Sequence, residues 1–171
     1  MVLSGFVGAA PRAGGRPAVA RILPELLIGE YPTPDDAAWL RSEHGVTAVV
    51  SLQDDADLAC KNLRLSALER AYREHGLRFH REPLPDGDGE VLAARLDPLV
   101  ALLARLLDAG ERVYLHCNAG LNRAPTVAIA YLLACRDLAL AEASALVKER
   151  RACVPYRRVL EAWAAARTPR T

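Results

Sequence analysis

The 171-residue chain lacks an excess of either charge, since 22 basic and 21 acidic side chains leave a formal net charge of +1. Without a global field a protein does not gather nucleic acid or an anionic membrane by long-range attraction, so any affinity for phosphate has to be local. Long apolar runs are missing too. Arg or Asp interrupts each of them well before the roughly 20 residues that a membrane span requires, and a soluble protein with neither a membrane nor a nucleic-acid partner is expected. Cysteines are few and scattered: Cys60, Cys117, Cys135 and Cys153 show neither the close pairing of a zinc site nor the density of a secreted disulfide scaffold. That excludes a disulfide-stapled fold and points to a reducing, cytoplasmic setting without a metal or other cofactor. His44, His75 and His80 have no metal-ligand spacing either. Residues 1–21 carry Arg12, Arg16 and Arg21 and no acid, yet Ser4 is the sole hydroxylated residue among them, so they read as a flexible tail rather than a transit peptide. The remaining 22–171 suit one domain with a single core.

What is present is an alternation of strand and helix patterns. Ile22–Glu30 is apolar and β-compatible, Asp35–His44 reads as a short helix closed by Gly45, and Val46–Leu52 is a β-branched run suited to a strand buried on both faces. A polar stretch from Gln53 to Asp57 precedes an amphipathic helix over Leu65–His75. Leu77–Leu84 returns as a strand and empties into Pro85-Asp86-Gly87-Asp88-Gly89, which is too rich in breakers for regular structure. Asp97-Pro98 has the form of a helix start, with a capping carboxylate before a first-turn proline, and that helix runs to Gly110. Arg112–His116 is a strand, and helices follow from Ala124-Pro125, over Ala141–Arg151 and over Tyr156–Ala166. The order implies an α/β domain with a mostly parallel central sheet flanked by helices.

Chemistry concentrates in His116-Cys117-Asn118-Ala119-Gly120-Leu121-Asn122-Arg123, between a strand and a helix with proline in its first turn. A loop in that position can wrap an anion with its backbone N–H groups, and the helix dipole adds positive potential at the same point. A thiol at a helix N-terminus beside a cation is the recognised setting for a nucleophilic cysteine. Arg123 supplies the cation, and its planar fork can grip two phosphate oxygens as a lysine point charge cannot.

The stretch VYLHCNAGLNRAPTVAIAYLL resembles the signature of dual-specificity phosphatases, and its Arg-Ala-Pro ending is most similar to plant-type glucan phosphatases. Val49–Leu58, the Asp86 loop and Lys148–Pro155 resemble that group as well. The resemblance implies a dual-specificity phosphatase-like catalytic domain over residues 22–171, with Cys117 as nucleophile and Arg123 as phosphate clamp. By the same resemblance Asn118, Ala119, Gly120, Leu121, Asn122 and Arg123 bind the substrate phosphate, while His116 orders the loop and supports the thiolate. It further implies an aspartate on a mobile loop as general acid, and Asp86, 31 residues before Cys117, fits that place with Asp88 in reserve. The expected reaction is hydrolysis of a phosphomonoester through a phosphocysteine, the substrate being a phosphorylated glucan or a phosphotyrosine, phosphoserine or phosphothreonine protein. The alternative is a catalytically weak or inactive module that only binds phosphate. Two departures stand out: Ala124 occupies the place where relatives carry Ser or Thr, and Gly87 and Val154 stand where sugar-stacking aromatics are expected. Tyr31, Trp39 and Tyr156 are then the candidate sugar contacts, and Cys135 on the helix after the loop is expected in the core.

Overall fold

Alternation within each strand decides which helices cover which face of the sheet. In the computed structural model, which describes residues 15–167, the strands are β1 (Val19–Leu23), β2 (Leu26–Gly29), β3 (Ala48–Ser51), β4 (Arg78–Arg81) and β5 (Val113–His116). They lie side by side in the order β1-β2-β5-β3-β4, antiparallel between β1 and β2 and parallel elsewhere. The helices are α1 (Ala37–His44), α2 (Asp55–Cys60), α3 (Leu65–Glu74), α4 (Gly89–Asp108), α5 (Arg123–Cys135), α6 (Leu140–Arg150) and α7 (Arg157–Arg167). Because successive strand side chains point to opposite faces, Leu27, Val49 and Tyr114 join the core under α1, α2 and α3. Their neighbours Leu26, Ile28, Ala48, Val50, Val113 and Leu115 face the larger core built with α4–α7. At its centre lies α5, every residue of which from Arg123 to Leu132 is buried. This is the α/β, mostly parallel arrangement expected.

Several boundaries differ from expectation, each for an identifiable reason. The single strand over Ile22–Glu30 is a hairpin, turned at Pro24-Glu25, where Arg21 Nη1 donates to the Pro24 carbonyl at 2.7 Å. Residues 19–21, expected in the tail, therefore belong to β1, and the rest of that tail through residue 14 lies outside the described residues. The polar stretch after β3 is largely helix α2. Asp54 caps it, taking the Asp57 N–H at 2.8 Å, while the Asp57 carboxylate takes the Asp54 N–H at 3.0 Å.

Helix α4 starts at Gly89, eight residues before the expected Asp97 start, and passes through Pro98. Asp88 caps it by accepting from the N–H groups of Glu90 at 3.1 Å and Val91 at 3.0 Å. Proline inside a helix removes one backbone hydrogen bond, but the stripe Leu92, Leu96, Leu99, Leu103 and Leu106 runs unbroken past it into the core. Burial of that face outweighs the local cost. Cys135 ends α5 on the exposed side rather than in the core, because the last turn of the helix rises out of it.

Candidate active site

Parallel strands deliver their carboxyl ends to one edge of the sheet, the place where open α/β sheets meet their ligands. Here that edge collects Gly29–Tyr31 after β2, Leu52–Asp57 after β3, Glu82–Asp88 after β4 and His116–Arg123 after β5. Residues far apart in the chain thus surround the Cys117 loop.

Every carbonyl of the loop from 117 to 122 is held from outside. His116 Nδ1 lies 3.0 Å from the Cys117 oxygen, and the Tyr31 N–H donates to Asn118 O at 2.8 Å. Arg151 donates to Ala119 O at 2.5 Å and to Gly120 O at 2.7 Å. The Val154 N–H reaches Leu121 O at 2.8 Å, and Thr126 Oγ1 reaches Asn122 O at 2.7 Å. In a trans peptide the N–H points opposite to the C=O, so turning the carbonyls outward turns the amides inward. Among the described residues the N–H groups of 118–122 donate to no protein acceptor, which leaves an open nest for an anion. Gly120 is required at the tightest point. Its φ is +64°, and a Cβ there would lie 2.5 Å from the carbonyl of Gly29.

Side chains of the loop look outward and fix it. Asn118 Nδ2 donates to Asp57 Oδ1 at 2.5 Å, and Asn118 Oδ1 accepts from Gln53 Nε2 at 2.7 Å. Asn122 Nδ2 donates to Val154 O at 2.7 Å. Ala119 has no polar side-chain atom to add, and Leu121 is exposed beside Val154. Ala124 is fully buried, and the nearby Thr126 hydroxyl does not take the place of a Ser or Thr there, since it is engaged with Asn122 O and the Tyr156 N–H.

Arg123 is buried, with Cys117 beside it at the root of the loop. Its Nη1 donates to Asp57 Oδ2 at 2.6 Å, Leu84 O at 2.8 Å and Leu52 O at 3.4 Å. Burial works against its charge, but the hydrogen bond to Asp57 and the nearby Cys117, Asp57 and Asp86 side chains outweigh that and raise its pKa above the ordinary value. Arg123 Nε has no hydrogen-bond partner although it is buried; it sits 3.4 Å from Asp86 Oδ1. Buried donors are nearly always satisfied, so this one fits an incoming acceptor. Asp88, the reserve acid, is occupied as the α4 cap.

His116 is fully enclosed, and burial pushes its pKa down to about 4 despite the bond to the Cys117 carbonyl. Its Nδ1 donates to that carbonyl at the root of the loop. Its ring stacks on Tyr114 with centroids 5.7 Å apart, and Tyr114 Oη donates to Glu30 O at 2.5 Å.

Sequence reasoning missed Asp57, Gln53, Arg151 and Gly29 as site residues. Asp57 lay within a stretch already set apart, and the Asp54-x-x-Asp57 spacing is a helix-start pattern that carried the signal. Arg151 lay within Lys148–Pro155, set apart by resemblance without a role, and for Gly29 no local pattern exists, because its partner Gly120 lies 91 residues away along the chain. Of the candidate sugar contacts, Tyr31 lies at the site with Lys61 Nζ 5.4 Å from its ring centroid. Trp39 is instead packed edge-on against His44, with Arg16 over its ring. No group of His, Cys, Asp and Glu among the described residues could hold a metal ion, and no helix of the described residues is long and apolar enough to cross a membrane.

A mostly parallel α/β sheet whose carboxyl edge carries a cysteine in an amide-lined loop, an arginine at the next helix start and an aspartate facing it defines the cysteine-dependent phosphatase class. The chain belongs to the family described as dual specificity phosphatase, catalytic domain, whose model matches residues 28–161. It is 34 % identical over 137 residues to the amyloplastic phosphoglucan phosphatase DSP4 of Castanea sativa, an alignment covering 78 % of this chain and 36 % of that protein. To laforin of Mus musculus it is 32 % identical over 124 residues, covering 66 % of this chain and 38 % of laforin. The chain thus spans little more than a third of the length of these curated relatives. The crystal structure of Tk-PTP in its active form shares the fold, with a TM-score of 0.72 and 22 % identity over 86 % of this chain and 94 % of that one.

Proposed function

We propose that this chain hydrolyses phosphomonoesters through a phosphocysteine, with phosphorylated glucan as the substrate. The observation that carries the reading is Arg123 Nε, a buried donor without a hydrogen-bond partner that lies 3.4 Å from Asp86 Oδ1. In the first step the Cys117 thiolate attacks phosphorus, the S–P bond forms, the ester P–O bond breaks, and Asp86 gives its proton to the departing oxygen. In the second the Asp86 carboxylate takes a proton from water, whose oxygen bonds to phosphorus while the S–P bond breaks, returning thiolate and inorganic phosphate. The inward amides of 118–122 and Arg123 hold the phosphoryl oxygens through both steps. With Cys117, Arg123 and Asp86 all present and mutually close, an inactive phosphate-binding module is not favoured. The catalytic domain is assigned from β1 through α7, and a reducing compartment such as the cytoplasm suits a nucleophile that must stay a thiol; the described cysteines are all unpaired.

The phosphoglucan phosphatase of Castanea sativa supports the glucan assignment by its name, while other relatives of 25 to 32 % identity are named dual specificity protein phosphatases. A second reading, phosphoprotein, is favoured by Leu121 and Val154, 37 % and 70 % exposed, which form an apolar rim beside the loop where an amino-acid side chain rather than a sugar would rest. The test is phosphate release from phosphorylated amylopectin, glycogen, phosphopeptides and an aryl phosphate. Release from amylopectin at a kcat/KM above that for the phosphopeptides is expected, and the reverse order would replace glucan by protein. Cys117→Ser should abolish turnover of every substrate, and residual hydrolysis above a few percent of wild type would remove Cys117 as nucleophile.

A further inference from the structure

Tyr156 begins the approach to α7 and is half-buried against the larger core. Its hydroxyl is turned toward the acid loop, where Tyr156 Oη accepts the Gly87 N–H at 2.9 Å. The same N–H lies 3.1 Å from Asp86 Oδ1, and Gly87 holds a φ of +80° that other residues rarely adopt. On its other side the Tyr156 N–H donates to Thr126 Oγ1 at 2.9 Å, and Thr126 Oγ1 donates to Asn122 O at 2.7 Å. Three hydrogen bonds, joined through the covalent body of Tyr156, therefore link the residue after Asp86 to the residue before Arg123. The ring itself packs on the first turn of α4, where a Cβ at Gly89 would lie 3.6 Å from Tyr156 Cδ1.

The acid loop needs such a tie. It is anchored before Pro85 by the Leu84 carbonyl on Arg123 and after Gly87 by the Asp88 cap. Between those anchors, among the described residues, its polar contacts to the rest of the chain are the 3.4 Å approach of Asp86 to Arg123 and the Gly87–Tyr156 bond. Pro85, Asp86 and Gly87 are exposed. The ion-pair contact is one that a bound phosphate competes for, because both address Arg123 Nε. The tyrosine bond is not, since it runs through the Gly87 N–H, which Tyr156 Oη shares with Asp86 Oδ1, and does not involve Arg123.

We propose that Tyr156 is a positioning residue for Asp86: its hydroxyl holds the Gly87 amide so that the carboxyl group stays over the catalytic loop once phosphate has taken Arg123. The proposal rests on Asp86 being the general acid. Loss of the hydroxyl would then harm only reactions that need the acid. For Tyr156→Phe, kcat/KM is expected to fall about 3- to 10-fold for alkyl phosphates, the range one neutral hydrogen bond supplies, and to stay within about 2-fold for an activated aryl phosphate.

The experiment compares wild type, Tyr156→Phe, Asp86→Asn and the double variant by kcat/KM over aryl and alkyl phosphates of graded leaving-group pKa. The expected result is a steeper leaving-group dependence in Tyr156→Phe, a still steeper one in Asp86→Asn, and no further change when Tyr156→Phe is added to Asp86→Asn. The slope is a ratio between substrates, so a changed folded fraction does not move it. If Asp86→Asn leaves the slope at the wild-type value, the acid assignment fails and the Tyr156 role with it. If Asp86→Asn steepens the slope while Tyr156→Phe lowers all substrates equally, or compounds with Asp86→Asn, the acid stands and the positioning role is overturned.

Discussion

At the residue scale the pair that governs the site is Arg123–Asp57, with side chains 2 % and 8 % exposed and 2.6 Å apart. A buried pair adds little net stability as a unit, but removing one charge strands the other at a cost of about 3 kcal/mol or more. Asp57→Asn is therefore expected to destabilise the protein by roughly that amount and to lower kcat/KM at least about 10-fold, because Arg123 loses the partner that aims it. Denaturant unfolding and aryl phosphate kinetics check both; a variant with wild-type midpoint and kinetics would show that the carbonyls of Leu52 and Leu84 suffice. His116 gives a pH prediction. Its pKa is about 4 in the folded protein against an ordinary 6.5, so between those values the unfolded chain binds the proton more readily and stability rises with pH. The contribution is whole above pH 6.5, declines as pH falls toward about 4, and is worth roughly 3 kcal/mol over that window. His116→Asn should flatten this part of the stability profile from pH 7 to 4, and an unchanged slope would assign the acid sensitivity to other groups.

Among the elements, α4 shows best where local pattern and tertiary structure part company. Asp97-Pro98 carries every local sign of a helix start, yet α4 starts at Gly89 with Asp88 as its cap, because the leucine stripe reaches back to Leu92. The periodicity of those leucines was readable; their authority over the proline was not, since it depends on the core they enter. The same limit hid the β1–β2 hairpin, where an apolar run contains a turn that only pairing reveals. Asp88 tests the reassignment. As a cap and not an acid, Asp88→Ala should lower stability by about 1 kcal/mol and leave kcat for both aryl and alkyl phosphates unchanged, with Asp88→Asn near wild type in both respects. A fall in kcat confined to alkyl substrates would restore Asp88 as a proton donor.

For the whole molecule, the α/β class and the Cys117–Arg123 loop were legible because both are written in contiguous sequence. The supports of the loop were not. Tyr31, the pair Gln53 and Asp57, and the pair Arg151 and Val154 come from three separate segments, and only the tertiary fold brings them to one edge. Gly120 rests on the backbone of Gly29, and a Cβ at Gly29 would in turn lie 2.3 Å from Ala18 O and 2.4 Å from Tyr114 Oη. Each obstacle includes main chain, so no shrinking of a neighbouring side chain can relieve it. The two positions should behave as a locked pair under selection: a library randomised at both codons and selected for aryl phosphate hydrolysis is expected to return glycine at each, with no compensating combination. Recovery of active variants bearing alanine at both would mean that the hairpin end can retreat from the loop without disturbing the amides that face the phosphate.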